Sequence, residues 1–302
     1  MVRFFVGDQN QTTVRCESGT FAVPSGVNNW MGIVTDHNVN EQTNVIPLRY
    51  AGTNSRLVQQ FLDGKLVFDN SISYHPQDFH FLKFVLGSCV DGGSPSPYQH
   101  NYSPNMNSAN SLEIPNLPLS SFTTTEVQST GVAGSNFTRT FSGCVVNSWS
   151  MKINEGDAIT CDVNYVAQNG VFSSGAPPGI SGLDTTRPYL WSDAQLHLPS
   201  GTRLNEIKSL TLSVNNKLQT DHYVDANRTI GQPIPTDLDI SVNLTVNANA
   251  DVTKSLYEQY FLGGSVVNLL LAVSQSAGSE EVFFTLSGCK IMDMKAPSKF
   301  SG

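Results

Sequence analysis

Apolar and polar residues alternate with a period of two along much of the chain. Ile240, Val242, Leu244 and Val246 fall on one side of an extended segment, with Ser241, Asn243 and Thr245 on the other. Leu210, Leu212 and Val214 alternate in the same way with Ser209, Thr211 and Ser213, and Ile159, Cys161, Val163 and Tyr165 with Thr160, Asp162 and Asn164. Successive side chains of a strand point to opposite faces, so these runs predict antiparallel strands with one buried face and one wet, uncharged face. Turn residues at Asn154-Glu155-Gly156, Asn215-Asn216 and Ala277-Gly278 separate them. The pattern predicts a mainly β protein.

Two segments depart from it. Asp251 to Leu262 sets Val252, Leu256, Tyr257, Tyr260 and Phe261 on one helical stripe and ends at Gly263-Gly264, a glycine stop. Pro76 to Leu86 carries Phe79, Leu82, Phe84 and Val85 before Gly87, which predicts a short helix. Pro76 would then occupy the first turn, where its missing N–H costs nothing.

These helices mark an internal repeat. In the first half a helix ending Phe84-Val85-Leu86-Gly87 precedes a strand from Phe122 to Val127, a turn, and Phe141-Ser142-Gly143-Cys144. In the second half a helix ending Tyr260-Phe261-Leu262-Gly263 precedes a strand from Val267 to Val273, a turn, and Leu286-Ser287-Gly288-Cys289. Leu86 and Leu262 stand 176 residues apart, but Cys144 and Cys289 only 145. The difference of 31 matches an insertion at residues 88–119. Its wealth of Ser, Pro, Asn and Gly predicts a long projecting loop. Upstream, Ile33 to Thr43 resembles Leu210 to Thr220 in the same order.

Composition narrows the function. Hydrophobic residues at 39%, with 16 Phe and 9 Tyr, suffice for a sizeable core and exclude disorder along the whole chain. Lys and Arg number 17 against 25 Asp and Glu, a net charge of −8, which excludes a generic basic nucleic-acid binder. Five cysteines (Cys16, Cys89, Cys144, Cys161, Cys289) form no CxxC pair and read as free thiols. The N-terminal residues lack an apolar stretch of secretory length, and no run reaches the ~18 apolar residues of a membrane span, so synthesis in the cytoplasm is expected.

Candidate chemistry is sparse. His75, Asp78 and His80 lie close together and are metal-capable, but none of His37, His100, His197 or His222 brings a third ligand with a spacing cue. Polar residues around a short helix is the favoured reading. Gly179-Ile180-Ser181-Gly182 is a partial nucleophile-elbow string preceded by loop rather than strand. Asp237 and Asp239 share one face of a strand edge and read as solvated. Asn10, Asn101, Asn136, Asn227 and Asn243 head sequons, a number expected in a chain so rich in Asn, Ser and Thr. The residues point to no catalytic, cofactor or metal site, and to no enzyme.

Five stretches occur in a telling order from about Gly19 onward. They are Trp30 to Val34; Phe61 to Gly64 with Tyr74 to Phe79; Ser142 to Ser148 with Asn154 to Gly156; Arg187 to Asp193 with the Ile207–Leu218 strand; and Gly231 to Pro235 before the Ile240 strand. In this order they resemble the tail tube proteins of long-tailed viruses of bacteria and archaea. The resemblance implies an antiparallel β-sandwich or barrel with short flanking helices, and the internal repeat then gives two tandem tube-like units in one chain. An N-terminal arm (1–24), a first β domain (25–170), a linker (171–190) and a second β domain (191–302) are the expected divisions. The resemblance also implies closed rings stacked into a hollow tube; with two units per chain a ring would be trimeric with pseudo-six-fold symmetry, and otherwise hexameric. That tube would enclose a tape measure protein, meet terminator and baseplate proteins (and a sheath if the tail contracts), and pass double-stranded DNA without specific binding. The virion tail, assembled in host cytoplasm, is the implied location. Ser209, Thr211, Ser213, Ser241, Asn243 and Thr245 are the residues expected to face the lumen. The long loop at 88–119 and the N-terminal arm are the expected contacts between rings. Two rivals stay open on the residues alone: another tail part of the same fold (a terminator or baseplate hub), and a surface-adhesion or glycan-binding β-sandwich.

Overall fold

The structure is a computed structural model that describes residues 11–17, 21–50, 57–92, 99–105, 119–128, 136–174, 179–181, 186–199, 201–205, 207–224, 227–247, 254–275 and 281–295. Its strands are β1 (Gln11–Cys16), β2 (Asn28–Asn29), β3 (Ile33–Asn38), β4 (Glu41–Thr43), β5 (Ile46–Leu48), β6 (Gln60–Leu62) and β7 (Leu66–His75). A short helix, Leu82–Leu86, leads into β8 (Gly87–Gly92), β9 (Gln99–Pro104), β10 (Phe122–Gln128), β11 (Phe137–Asn154), β12 (Thr160–Ala167), β13 (Asn169–Ser173) and β14 (Ile180–Ser181). Then come β15 (Ala194–His197), β16 (Arg203–Leu204), β17 (Ile207–Asn215), β18 (Leu218–Gln219), β19 (Ile234–Pro235) and β20 (Asp239–Val246). A π-helix, Leu256–Leu262, precedes β21 (Val267–Ser274) and β22 (Glu281–Cys289). The protein is mainly β, and its long sheets are antiparallel.

The chain packs as two compact units. One comprises Met1–Met151, Thr160–Pro188 and Ser213–Ser241; the other comprises Lys152–Ile159, Tyr189–Leu212 and Val242–Gly302.

In the first unit, the strands follow the order β14-β2-β1-β10-β11-β12-β7-β3. An aromatic cluster fills its core: Phe122 lies 5.4 Å from Phe81, 5.1 Å from Phe84 and 5.5 Å from Tyr165 between ring centroids. Such tilted and edge-on pairs add to the roughly 1.5–3 kcal/mol that each buried large side chain contributes. Strand β10 is buried on both faces, so its polar side chains find partners inside. Thr124 Oγ1 donates to the Thr13 carbonyl (3.1 Å), and Glu126 accepts from Arg139 Nε (2.9 Å).

Two buried polar groups tie this sheet together. Glu17 is fully buried, and its carboxylate accepts four hydrogen bonds: from Ala22 N–H (2.9 Å) and Ser121 Oγ (2.6 Å) at Oε2, and from Thr123 Oγ1 (2.6 Å) and Gly143 N–H (2.7 Å) at Oε1. His37, whose side chain is 4% exposed, meets the Tyr165 hydroxyl at 2.8 Å and stands 3.9 Å from Glu126. Burial first, and the Arg139 charge second, lower its pKa to about 4, so the ring is neutral at pH 7.

In the second unit, β21 alternates buried Val267, Leu269, Leu271 and Val273 with more exposed residues, as period two requires. The order of its sheet is β16-β15-β21-β22. Tyr189, in the same unit, is fully buried, its carbonyl accepting from Ile159 N–H at 2.9 Å.

The two sheets repeat one arrangement. The order β2-β1-β10-β11 in the first corresponds strand for strand to β16-β15-β21-β22 in the second. Phe122 pairs with Cys144 and, after a bulge, Thr124 pairs with Phe141. Val267 pairs with Cys289 and, after a bulge, Leu269 pairs with Leu286. Each of these four positions recurs 145 residues later, the spacing read from the two Ser-Gly-Cys segments. Gly143 (φ +65°) and Gly288 (φ +71°) supply the left-handed residue that each bulge demands.

Several details differ from expectation. The first helix does not begin at Pro76: β7 runs to His75, and only Leu82–Leu86 is helical. The Asp78 carboxylate accepts the His80 N–H (3.0 Å), a local turn that competes with helix formation. The second helix ends as predicted, but Gly263 keeps right-handed angles and Gly264 is the left-handed residue (φ +66°). Residues 88–119 are not simply a loop, because β8 and β9 pair over six residues from Gly87↔Pro104 to Gly92↔Gln99. Gln11–Cys16, assigned to an arm, form β1 in the sheet, and 171–173 of the assigned linker belong to β13. Residues 1–10, 18–20, 93–98 and 106–118, which belong to the arm and the insertion, lie outside the described residues, as does the turn at Ala277-Gly278.

Candidate assembly surfaces

The six polar positions singled out from alternation sit on neighbouring strands, since β17 pairs with β20. On β17, Leu210, Leu212 and Val214 are buried while Ser209, Thr211 and Ser213 are half-buried. On β20, Ser241, Asn243 and Thr245 are exposed, and the alternate Val242, Leu244 and Val246 remain half-exposed. The predicted alternation is therefore present on both strands. Unlike β17, β20 keeps its apolar face partly open, and β17 is its sole strand partner among the described residues. Asp237 and Asp239 both pair with Lys217 Nζ, at 3.0 and 2.6 Å.

A second surface was not read from the sequence. The β5–β6 hairpin pairs only with itself among the described strands, with Ile46↔Leu62 and Pro47↔Phe61 in register. Leu57 is 75% exposed, Phe61 66% and Ile46 51%, and Val45, Tyr50 and Leu62 are also open to solvent. The Tyr50 side-chain hydroxyl bonds Gln60, and its N–H donates to Gln59 Oε1 (2.8 Å), which braces the hairpin without covering it. A lone two-stranded hairpin is marginal in water, and each exposed large side chain forgoes roughly 1.5–3 kcal/mol of burial. The only sequence signal was a set of apolar residues just ahead of Asp63-Gly64, which reads equally well as core.

A third surface is the edge strand β22. All nine residues of Glu281–Cys289 are exposed or half-exposed, including Phe283, and an open edge of this length is a template for pairing.

The weaker sequence candidates resolve differently. His75 faces Thr160 Oγ1 (3.4 Å), while Asp78 turns to the His80 backbone, so the three do not converge on one point. Ser181 lies in β14, which runs parallel to β2, and not in a strand–turn–helix elbow. Cys144 and Cys161 are buried, and burial pushes both thiols up in pKa. All five cysteines are free.

The fold and these surfaces define a mainly β protein that, among the described residues, exposes an apolar hairpin and the strand edges of β20 and β22. The family model of the phage tail tube protein matches residues 37–301, most of the chain. The chain belongs to the phage tail tube protein family, as the resemblance implied, and is a structural component of a virion tail. No curated protein matches it.

Proposed function

We propose that this chain closes into rings that stack into the hollow tube of a viral tail, assembled in the host cytoplasm, and that the tube conducts double-stranded DNA into the host. The observation that carries this reading is the family match over residues 37–301. The β5–β6 arm and the β20 and β22 edges support it, since a ring is a heterologous interface that closes on itself and covers edges otherwise open to aggregation. The tape measure protein fills the tube during assembly, and terminator and baseplate proteins cap it; a sheath surrounds it if the tail contracts.

The repeated strand order and register of β2-β1-β10-β11 and β16-β15-β21-β22 support two tandem tube-like units; the expected bounds 25–170 and 191–302, joined at 171–190, exchange two pieces, since Lys152–Ile159 packs with the second compact unit and Ser213–Ser241, like β1, with the first. Three chains then give a ring of pseudo-six-fold symmetry. Ser209, Thr211, Ser213, Ser241, Asn243 and Thr245 line the lumen, where uncharged polar groups in a net-negative wall let DNA slide while Lys or Arg would hold it.

Negative-stain electron microscopy of the purified chain over a concentration series tests this. Stacked rings with three-fold end-on averages are expected. Six-fold averages overturn the tandem-unit ring, and single rings that never stack favour a terminator or hub. A dispersed monomer with saturable glycan binding overturns the tube reading.

A further inference from the structure

We propose that the β8–β9 hairpin is a binding site for a zinc-class divalent cation, held by Cys89, Asp91 and His100 with His80 as the fourth ligand. The ligand atoms of the first three all lie within 4.8 Å of one another. Strand geometry brings them together: Cys89 and Asp91 are two residues apart on one face of β8, and Asp91 pairs directly with His100 across the ladder. His100 Nδ1 stands 2.6 Å from Asp91 Oδ1, and Cys89 Sγ stands 3.6 Å from the same oxygen. A tetrahedral ion with metal–sulfur bonds of about 2.3 Å and metal–nitrogen or –oxygen bonds of about 2.0–2.2 Å needs its ligand atoms roughly 3.3–3.8 Å apart. The carboxylate–imidazole contact must open by about an ångström, and the sulfur–oxygen separation already fits.

His80 completes the set. Its ring packs edge-on against His100 with centroids 4.9 Å apart, and its Nδ1 now meets the Tyr102 hydroxyl at 3.1 Å. Rotation about its side-chain bonds exchanges that hydrogen bond for a metal bond. The donor set of thiolate, imidazole and carboxylate suits Zn²⁺ and its spectroscopic substitute Co²⁺ and disfavours Mg²⁺ or Ca²⁺, which take oxygen ligands. Accessibility is no barrier, since Asp91 is 76% exposed at its side chain and His100 35%.

Binding is an acid–base exchange without electron transfer: a sulfur–metal bond forms as the Cys89 thiol releases its proton to water. Burial and the Asp91 carboxylate both raise the Cys89 pKa, with the Lys83 charge opposing them. Asp78, which accepts the His80 N–H, and Tyr102, which meets the His80 ring, flank the group. This inference does not depend on tube assembly, because all four residues belong to one chain.

The test is titration of the reduced, chelator-treated full chain with Co²⁺, followed by Zn²⁺ competition. A thiolate-to-cobalt charge-transfer band is expected in the wild type, abolished by Cys89→Ser and displaced by Zn²⁺. His100→Ala is expected to weaken binding by on the order of 100-fold, and His80→Ala by roughly tenfold. Zn²⁺ is also expected to slow amide exchange in Gly87–Gly92 and Gln99–Pro104. Absence of the band, its survival in Cys89→Ser (which would assign it to another cysteine), or unchanged exchange in the hairpin each overturns the site. Unchanged metal-free melting of the variants keeps misfolding from imitating a positive result.

Discussion

Glu17 offers the sharpest test of the packing described above, because its carboxylate is fully buried yet fully satisfied. Glu17→Ala removes the acceptor for two backbone N–H groups and two hydroxyls, of which Gly143, Ser121 and Thr123 are buried. The hydroxyls can turn elsewhere, whereas the Gly143 N–H cannot. At about 1–3 kcal/mol for the stranded Gly143 N–H, less at Ala22 where water helps, and about 1 kcal/mol for the buried methylene lost, the expected loss is about 4 kcal/mol. Glu17→Gln keeps one oxygen. With that oxygen facing Thr123 and Gly143, the new NH₂ meets the Ser121 hydroxyl, which can turn to accept, but opposes the Ala22 N–H. The expected loss is then about 2 kcal/mol. Urea unfolding followed by tryptophan fluorescence measures both, since Trp149 is buried in the same unit. A loss of 4 kcal/mol lowers the melting temperature by roughly 10 °C in a domain of this size. If Glu17→Gln matches the wild type, or if the two substitutions cost the same, the carboxylate is not the hub of this sheet and the reasoning fails.

Other outcomes follow from the same structure. His37, whose pKa falls to about 4 from 6.5, favours folding only while neutral. Its contribution is complete above pH 6.5 and lost as pH drops toward 4, about 3 kcal/mol in all, so unfolding midpoints should fall over that window and much less in His37→Gln. Phe61→Asp, on the exposed face of the β5–β6 arm, should abolish stacked rings in micrographs while leaving monomer melting within about 0.5 kcal/mol of wild type; intact tubes would clear the arm of a role. Ser241→Lys with Asn243→Lys should leave tubes intact but slow DNA ejection in a salt-dependent manner, and normal ejection would place this face outside the lumen. Gly143→Ala and Gly288→Ala separate backbone strain from crowding. Both pay about 1–2 kcal/mol for a left-handed alanine, but only at Gly143 would the new Cβ meet neighbours, Gln168 Cβ at 2.8 Å and Phe21 Cζ at 2.9 Å. Gly143→Ala should therefore unfold at distinctly lower urea.

The alternation of Leu210, Leu212 and Val214 with Ser209, Thr211 and Ser213 sufficed to predict a strand and its buried face, because side-chain direction along a strand is a local property of the backbone. The 145-residue spacing of the two Ser-Gly-Cys segments was equally legible, since a bulge that needs a left-handed residue writes a glycine into the sequence wherever it recurs. Order along the chain was also enough to suggest the family. Pairing between distant segments was not readable in this way. That Cys89 and Asp91 face His100 depends on which polar segments of the insertion pair, and composition alone reads them as loop. Glu17 and His37 look like surface residues in sequence, and only the closing of β1, β10 and β7 around them makes them buried. Phe61 and Ile46 look like core, and only the isolation of their hairpin leaves them in water. Local periodicity determined which residues could lie on one face. Long-range strand pairing, whose free energy is shared among residues far apart in the chain, decided which faces became core and which were left for a partner.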